Sequence, residues 1–416
     1  MTREHGIQPN LGQFLWLVAN TILVGLTVGT ERTVVPLLGN QVYHVGAWST
    51  LAFIASFGLA KAPLNLVAGR WSDRIGRRRV LIWGWVLGVP MVGLLLGVHA
   101  WWAVVVANIF LGANQAFAWT MTISAQLDLA GPRQRGLAMG INEATGYIGV
   151  ALATWWTGYL ASFGGERSPF MFAGIVVGLG IVTSLLFIRD TRGWVAKETQ
   201  LSVASAQDTE GRKHSAWASF FYTSFQEPTL SASSWAGMVN KLADTVAWGV
   251  LPLYLARQHL PVMDIAWISG SYTGAWGISQ FGTGALSDRI GRKIPIVSGF
   301  ALLGLGFLGL LLVHGLWLWI MMAVAAGGGM ALLYPNLNST VSDIAPPDRR
   351  GSILGVYRLW RDGGYFVGGI VAGGLLSVVG ASGTILLIVG VVWVMMGILL
   401  VRMRESHRVS RVSRAS

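Results

Sequence analysis

Gly69-Arg70-Trp71-Ser72-Asp73-Arg74-Ile75-Gly76-Arg77-Arg78-Arg79 packs one acid, two glycines and five arginines into eleven residues between long apolar runs. The pattern returns 215 positions later as Gly284-Ala285-Leu286-Ser287-Asp288-Arg289-Ile290-Gly291-Arg292-Lys293, in a chain of 416 residues. Asp128, ahead of Pro132-Arg133-Gln134-Arg135-Gly136, returns at the same offset as Asp343, ahead of Pro347-Asp348-Arg349-Arg350-Gly351. Val35-Pro36 in the first apolar run has a counterpart in Leu251-Pro252. A constant offset across separate landmarks implies two homologous halves with the same membrane orientation.

Composition places both halves in lipid. Apolar residues make up 53% of the chain and charged residues 12%, against about 25% charged in a typical soluble domain. Mean hydropathy is +0.57. Runs long enough to span a bilayer fall at 12–38, 47–69, 79–98, 101–127, 137–162 and 169–188, then at 233–256, 264–286, 294–313, 316–341, 352–379 and 381–401. The first run exceeds a signal-peptide core and is expected to be retained. The expected organisation is an N-terminal bundle (1–188), a linker (189–232), a C-terminal bundle (233–401) and a tail (402–416). Within the linker, 215–226 suggests a short helix lying on the membrane surface.

Charge fixes the orientation expected. Of 30 Lys and Arg residues, 23 lie in segments on one side of a twelve-span topology, and Arg167 and Arg257 lie on the other. The basic side is the cytoplasmic one, with both termini and the linker there. The net charge of +12 is thereby explained by cytoplasmic loops and does not call for nucleic acid. The absence of cysteine excludes disulfides, thiolate metal sites and cysteine nucleophiles. No metal site, cofactor or nucleotide-binding loop is indicated, so ATP-driven pumping and enzymatic chemistry are not expected.

The hairpin, its second copy, the twelve runs and the central linker resemble the major facilitator superfamily over nearly the whole chain. The match is to that family's G-x-x-x-D-R-x-G-R-R/K signature between helices 2 and 3. The resemblance implies an all-α fold of two pseudo-symmetric six-helix bundles around a central cavity. It also implies a rocker-switch secondary transporter, expected as a monomer in the inner or plasma membrane. By the same resemblance, Gly69, Asp73, Arg74, Gly76, Arg77 and Asp128 form a conformational latch. Asp73 would sit at the N-terminal end of helix 11 and Arg77 would pair with Asp128. Asp288, Arg292 and Asp343 would be its second copy. A cluster that only sets topology is the alternative. Two positions depart from proton-coupled drug exporters of the family: Asn108 stands where an Arg precedes Gly112, and Ala153-Thr154 replaces a Gly-Pro.

Nine ionisable residues fall inside the expected spans: Glu31, Arg32, Lys61, Glu143, Lys241, Asp244, Arg358, Arg361 and Asp362. Each costs roughly 2.5–3.5 kcal/mol on insertion scales, so each needs a partner or a role. None lies in helices 3, 6, 9 or 12, which the resemblance makes outer supports. Helical spacing suggests the pairs Lys241–Asp244 and Arg358–Asp362, and leaves Arg361 less obviously paired. Glu143 and Arg358 occupy equivalent positions and are expected to approach across the cavity floor. Glu31, Glu143 and Asp244 are the proton-carrying candidates, and Asn108 joins the polar lining. The function expected is movement of a small organic solute by alternating access, coupled to protons, with export suggested. A non-transporting receptor on the same scaffold is the alternative.

Overall fold

A computed structural model describes residues 5–131, 134–194, 216–346 and 349–406. Pro132, Arg133, Pro347, Asp348, linker residues 195–215 and tail residues 407–416 lie outside the described residues.

Among the described residues the chain is helical, without strands. The first group is α1 (Leu11–Gln41, interrupted at Thr33), α2 (Ala52–Ile75), α3 (Arg77–Gly97), α4 (Trp101–Ala130), α5 (Arg135–Gly164) and α6 (Ser168–Leu186). In the second, α7 runs Pro228–Thr245, passes through a π turn at Val246–Val250 and continues as Leu251–Arg257. Then follow α8 (Val262–Ile290), α9 (Lys293–Leu312) and α10 (Leu316–Ile344). The last two, α11 (350–379) and α12 (381–402), abut at Gly380, whose φ of 70° breaks the helix.

Among the described residues, eight helices qualify as membrane spans by length and composition, with 350–402 counted as one. The helices α5, α7 and α8 fall outside that set. Glu143, Asn240, Lys241, Asp244, Gln280 and Asp264 dilute their apolar runs. The reason is packing: these helices meet protein on several sides and carry the polar interior. The start of α7 at Pro228, earlier than the expected 233, has a local cause. Its first turn, Pro-Thr-Leu-Ser, is polar in sequence. Yet Pro228 suits a first helical position, and the Glu227 carboxylate accepts a hydrogen bond from the Leu230 N–H.

Ahead of α7, Ala216–Phe221 and the π turn Tyr222–Gln226 form the short helix expected there. Phe220 stacks on Trp360 of α11, while Trp217, Phe221 and Phe225 are exposed.

The helices α1–α6 pack among themselves, as do α7–α12, and the groups meet along α2–α11 and α5–α8. These two seams are related by the sequence repeat. Gly158 of α5 sits against Ala266 of α8, and Gly373 of α11 sits beside Leu51 at the start of α2. Both partners differ by 215 positions. A Cβ on Gly58 would lie 2.3 Å from the Phe366 nitrogen, so glycine permits this backbone approach.

The hairpins α2–α3 and α8–α9 turn on Gly76 (φ 100°) and Gly291 (φ 91°). A Cβ at Gly76 would lie 1.9 Å from Asp190, and one at Gly291 2.5 Å from Glu405. Nothing lies within 4 Å of a Cβ at Gly69. Gly76→Ala and Gly291→Ala are therefore each expected to destabilise by about 1–3 kcal/mol, through φ strain and crowding. Gly69→Ala is expected to leave the melting temperature of the purified protein unchanged. Equal melting temperatures for all three variants would contradict this assignment.

Candidate functional site

The two basic hairpins carry the same network, residue for residue. Arg77 Nη1 donates to Asp73 at 2.6 Å and to Ser72 at 2.5 Å, and its Nε reaches Asp128 at 3.3 Å. Arg292 repeats this with Asp288 at 2.8 Å, with Ser287, and with Asp343 at 3.4 Å. Thr191 donates to Asp128 at 2.6 Å, and Ser406 donates to Asp343 at 3.4 Å. Glu405 accepts the Arg292 and Lys293 backbone N–H groups at the start of α9. Thr191/Ser406 and Asp190/Glu405 also differ by 215 positions. Sequence reasoning missed both pairs because they lie past the ends of apolar runs. Carrying the repeat offset past those ends was the available signal.

The Arg74 side chain is exposed, and its backbone carbonyl accepts from Arg192 at 3.2 Å. Asp73 is 72% exposed and bonded within its own hairpin. Among the described residues its expected contact with the start of α11 is not made. A cavity of about 600 Å³, lined by Gly69, Asp73, Gly351 and Ser352 among others, lies there instead.

At mid-height, a buried ion pair joins the two groups of helices. Arg32 of α1 donates through both terminal nitrogens to the two Asp244 oxygens of α7, at 2.9 Å each. The side chains are 3% and 0% exposed. Tyr365 donates to Asp244 at 2.5 Å and Tyr272 at 3.3 Å, while Lys241 stands 3.9 Å away. The Arg32 guanidinium lies 5.2 Å from the Trp248 ring centre. Trp248 packs edge-on against Phe53, Phe57 and Tyr365. Together these side chains close the path between the groups on the side away from the hairpins.

Toward the hairpins the interior opens. A chamber of about 30 Å³, room for about one water, is lined by Lys61, Asn65, Trp119, Glu143, Lys241 and Tyr334, with Arg358, Arg361 and Asp362. It shares Asn65, Thr120 and Arg358 with the cavity between α2 and α11. It shares Met139, Glu143 and Tyr334 with a second cavity of about 430 Å³ between α5 and α8. These two cavities have the size of small-molecule sites. Trp119 and Tyr334 are repeat equivalents, as are Glu143 and Arg358. The chamber is thus symmetric in position and asymmetric in charge.

Of the two pairs that helical spacing suggests, Lys241–Asp244 is present at 3.9 Å, and Arg358–Asp362 is not made among the described residues. Asp362 is held by Arg361, at 2.9 Å through two bonds, and by Asn65 at 2.5 Å. Among the described residues Arg361 is therefore the paired cation and Arg358 is not. Asp244 takes Arg32 as its close partner, because a facing helix offers a bidentate fork that Lys241 cannot match. Glu143 makes no ion pair with Arg358 among the described residues, and accepts from Trp119 at 3.4 Å. Lys241 donates to Tyr147 at 2.9 Å and sits 4.4 Å from the Trp276 ring centre. Both Glu31 oxygens are buried without a hydrogen-bond partner. Glu31 faces Asn108, whose amide donates to the Val104 carbonyl. Ten sequence-selected polar positions on α1, α2, α4, α5, α7 and α11 thus fall in the interior. Tyr272 and Tyr365, not selected in the sequence, complete the Asp244 site.

The family model described as Major Facilitator Superfamily matches residues 17–235 and 233–415. Multidrug resistance protein 2 of Bacillus subtilis (strain 168) is 26% identical over 179 residues, 43% of this chain and 44% of that protein. That match thus spans less than half of the relative's length. Multidrug resistance protein MdtG of Dickeya zeae (strain Ech586) is 25% identical over 357 residues, covering 83% of this chain and 82% of that one. A crystal structure of a mutant of the nucleoside transporter NupG superposes with a TM-score of 0.75, over 94% of this chain and 100% of that one. At 15% identity, that likeness is one of fold.

Removing one partner of a buried ion pair costs about 3–5 kcal/mol, because the other charge is left uncompensated. Arg32→Gln and Asp244→Asn are each expected to lower stability on that order. The double variant is expected to lose much less than the two losses combined. A thermal-unfolding double-mutant cycle reads this directly, and additive losses would contradict the pairing.

Proposed function

The chain belongs to the major facilitator superfamily, a family of transporters rather than enzymes, and on that premise we propose a specific cycle. It is a secondary active transporter that moves a small organic solute by alternating access and couples that movement to protons. One observation carries this reading: a charged and aromatic chamber between two helix groups, sealed at one end and open through ligand-sized cavities at the other. It is a multi-pass membrane protein. Twelve spans, with the hairpins, linker and both termini on the cytoplasmic side, follow from the basic-residue asymmetry. On that orientation the structure is inward-facing, and the membrane is the inner or plasma membrane. The funnel lies within one chain, which supports a monomer as the working unit.

The cycle then has two alternating closures. The Arg32–Asp244 pair and the Trp248 cluster close the outer side, and must part for outward opening. The hairpin latch closes the inner side. Gly69 and Asp73 face the gap opposite Gly351 and Ser352, so approach of α11 would bring its first turn to the Asp73 carboxylate. A helix N-terminus favours that anion. The lack of a neighbour at Gly69 in the open form fits a glycine required only in the closed one.

Glu143 and Glu31 are the proposed proton carriers. Glu143 lines the chamber beside Lys61, Lys241 and Arg361, within reach of the open funnel. Glu31 is a buried acid with no cationic partner among the described residues and only the Asn108 amide beside it, and such a carboxylate is costly to bury. Asp244 is committed to Arg32. The similarity to multidrug resistance proteins favours export as the direction.

In proteoliposomes with an imposed pH gradient, Glu143→Gln is expected to reduce gradient-driven flux at least about tenfold while retaining solute exchange at equal pH. Full gradient-driven flux in both Glu143→Gln and Glu31→Gln would remove these residues from the coupling mechanism. Gly69→Val is expected to bind solute from the inner side yet fail to complete the cycle. Full turnover in that variant would contradict the latch.

A further inference from the structure

The charges around the chamber do not balance within the protein. Arg361 and Asp362 satisfy each other. Arg32 and Lys241 share Asp244, with Arg32 holding both oxygens. Glu143 is the one remaining acid in the lining. Against it stand Lys61 and Arg358, and among the described residues neither makes an ion pair or a hydrogen bond. Lys61 rests on ring faces, with its Nζ 5.3 Å from the Phe57 centre, 5.6 Å from Trp119 and 5.8 Å from Tyr365. A cation over aromatic rings is only partly compensated, by about 0.5–2 kcal/mol. The Arg358 guanidinium is half-buried, and its fork of five N–H donors meets no acceptor among the described residues.

We propose that Lys61 and Arg358 are the two jaws of an oxyanion site, and that the transported solute is a small organic anion bearing a carboxylate or phosphate. This rests on the transporter reading and names its substrate class. The two cations come from α2 and α11, the helices that face each other across one seam. Arg358 lines both the chamber and the wide cavity between those helices, so an anion entering from the hairpin end meets it first. Its planar fork suits two oxygens of one head group, and Lys61 adds a point charge from the opposite side. The chamber has room for about one water, so the body of the solute would lie in the adjoining 600 Å³ cavity, against Leu66, Leu354 and Leu359. A cationic drug meets the reverse situation. Four cations, Lys61, Lys241, Arg358 and Arg361, line the chamber against two acids, Glu143 and Asp362. Bridging jaws from opposite halves also gives the anion a role in the cycle, because it screens two like charges that closure of the inner side brings together. An inside-negative membrane helps export of such a solute, by about 2.3 kcal/mol per charge per 100 mV.

Detergent-purified protein provides the test, by thermal shift and proteoliposome flux. The probes are benzoate, succinate and phenylphosphate, with benzamide as a neutral match and tetraphenylphosphonium as a cation. A ligand of the native state raises the melting temperature in proportion to its occupancy. At least one of the three anions is expected to give a saturable rise that benzamide and tetraphenylphosphonium do not. Lys61→Gln and Arg358→Gln are each expected to weaken that response about tenfold or more, and Lys61→Arg to restore it. The melting temperatures of the unliganded variants report whether they fold. No rise with any of the anions overturns the proposal, as does an anion response unchanged in both glutamine variants. Stabilisation and flux with tetraphenylphosphonium alone would overturn the anion site and leave the transporter reading intact. Anion binding lost in the glutamine variants, with no flux of any probe, would leave the anion site and remove the transporter reading.

Discussion

Arg32 and Asp244 lie 212 residues apart, on different halves of the chain, and meet in a fully buried bidentate pair. The rest of the interior is arranged around the consequences. A charge pair taken out of water is tolerated only when geometry is good and the remaining polar atoms are satisfied. Tyr272 and Tyr365 supply the further donors to the carboxylate, and Trp248 lies against the guanidinium, whose Nε alone is left without an acceptor among the described residues. The aromatic packing of Phe53, Phe57 and Trp248 follows, because the same side chains that exclude water from the pair also close the gap between the halves. Closure at this end and opening at the hairpin end are therefore one arrangement rather than two.

The duplicated hairpin provides the complementary constraint. In each half a single arginine binds a serine, an aspartate on its own hairpin and an aspartate at the end of the next long helix. Such a network holds three helix ends of one half as a unit. A half that moves as a unit can rock against its partner only where the contacts are small. The glycines at 58, 158, 369 and 373 supply such contacts along the seams, with backbone lying against backbone or short side chains. The structure thus combines stiffness within halves with a smooth surface between them.

Much of this was legible in the sequence, and what was hidden was hidden for one reason. The offset of 215 residues found the two halves, both hairpins and the positional equivalence of Glu143 with Arg358. The rarity of charge in lipid picked out the interior residues on α1, α2, α5, α7 and α11. The partners of those charges were another matter. Spacing along one helix suggests neighbours three or four residues away, and it pointed Asp362 at Arg358 and Asp244 at Lys241. Lys241 does stand by Asp244, at 3.9 Å, but the closer partner there is a distant Arg32, and Asp362 is held by the adjacent Arg361 in place of Arg358. Bidentate geometry outweighs sequence proximity in a medium of low dielectric. No pattern in a single sequence reports which face of one helix will meet which face of another. The start of α7 was obscured by its polar first turn, and the Thr191 and Ser406 bonds by their place beyond the apolar runs.

The central claim is that two rigid halves rock so that one end closes as the other opens. The chain has no cysteine, so labels can be placed without background. Electron–electron distance measurements between spin labels at Arg79 and Arg289 report the hairpin end, and labels at Glu166 and Val378 report the opposite end. Across a series of pH values and solute concentrations, the first distance is predicted to shorten in step with lengthening of the second, with both populations exchanging together. Distances that change at one end while the other stays fixed would contradict the account.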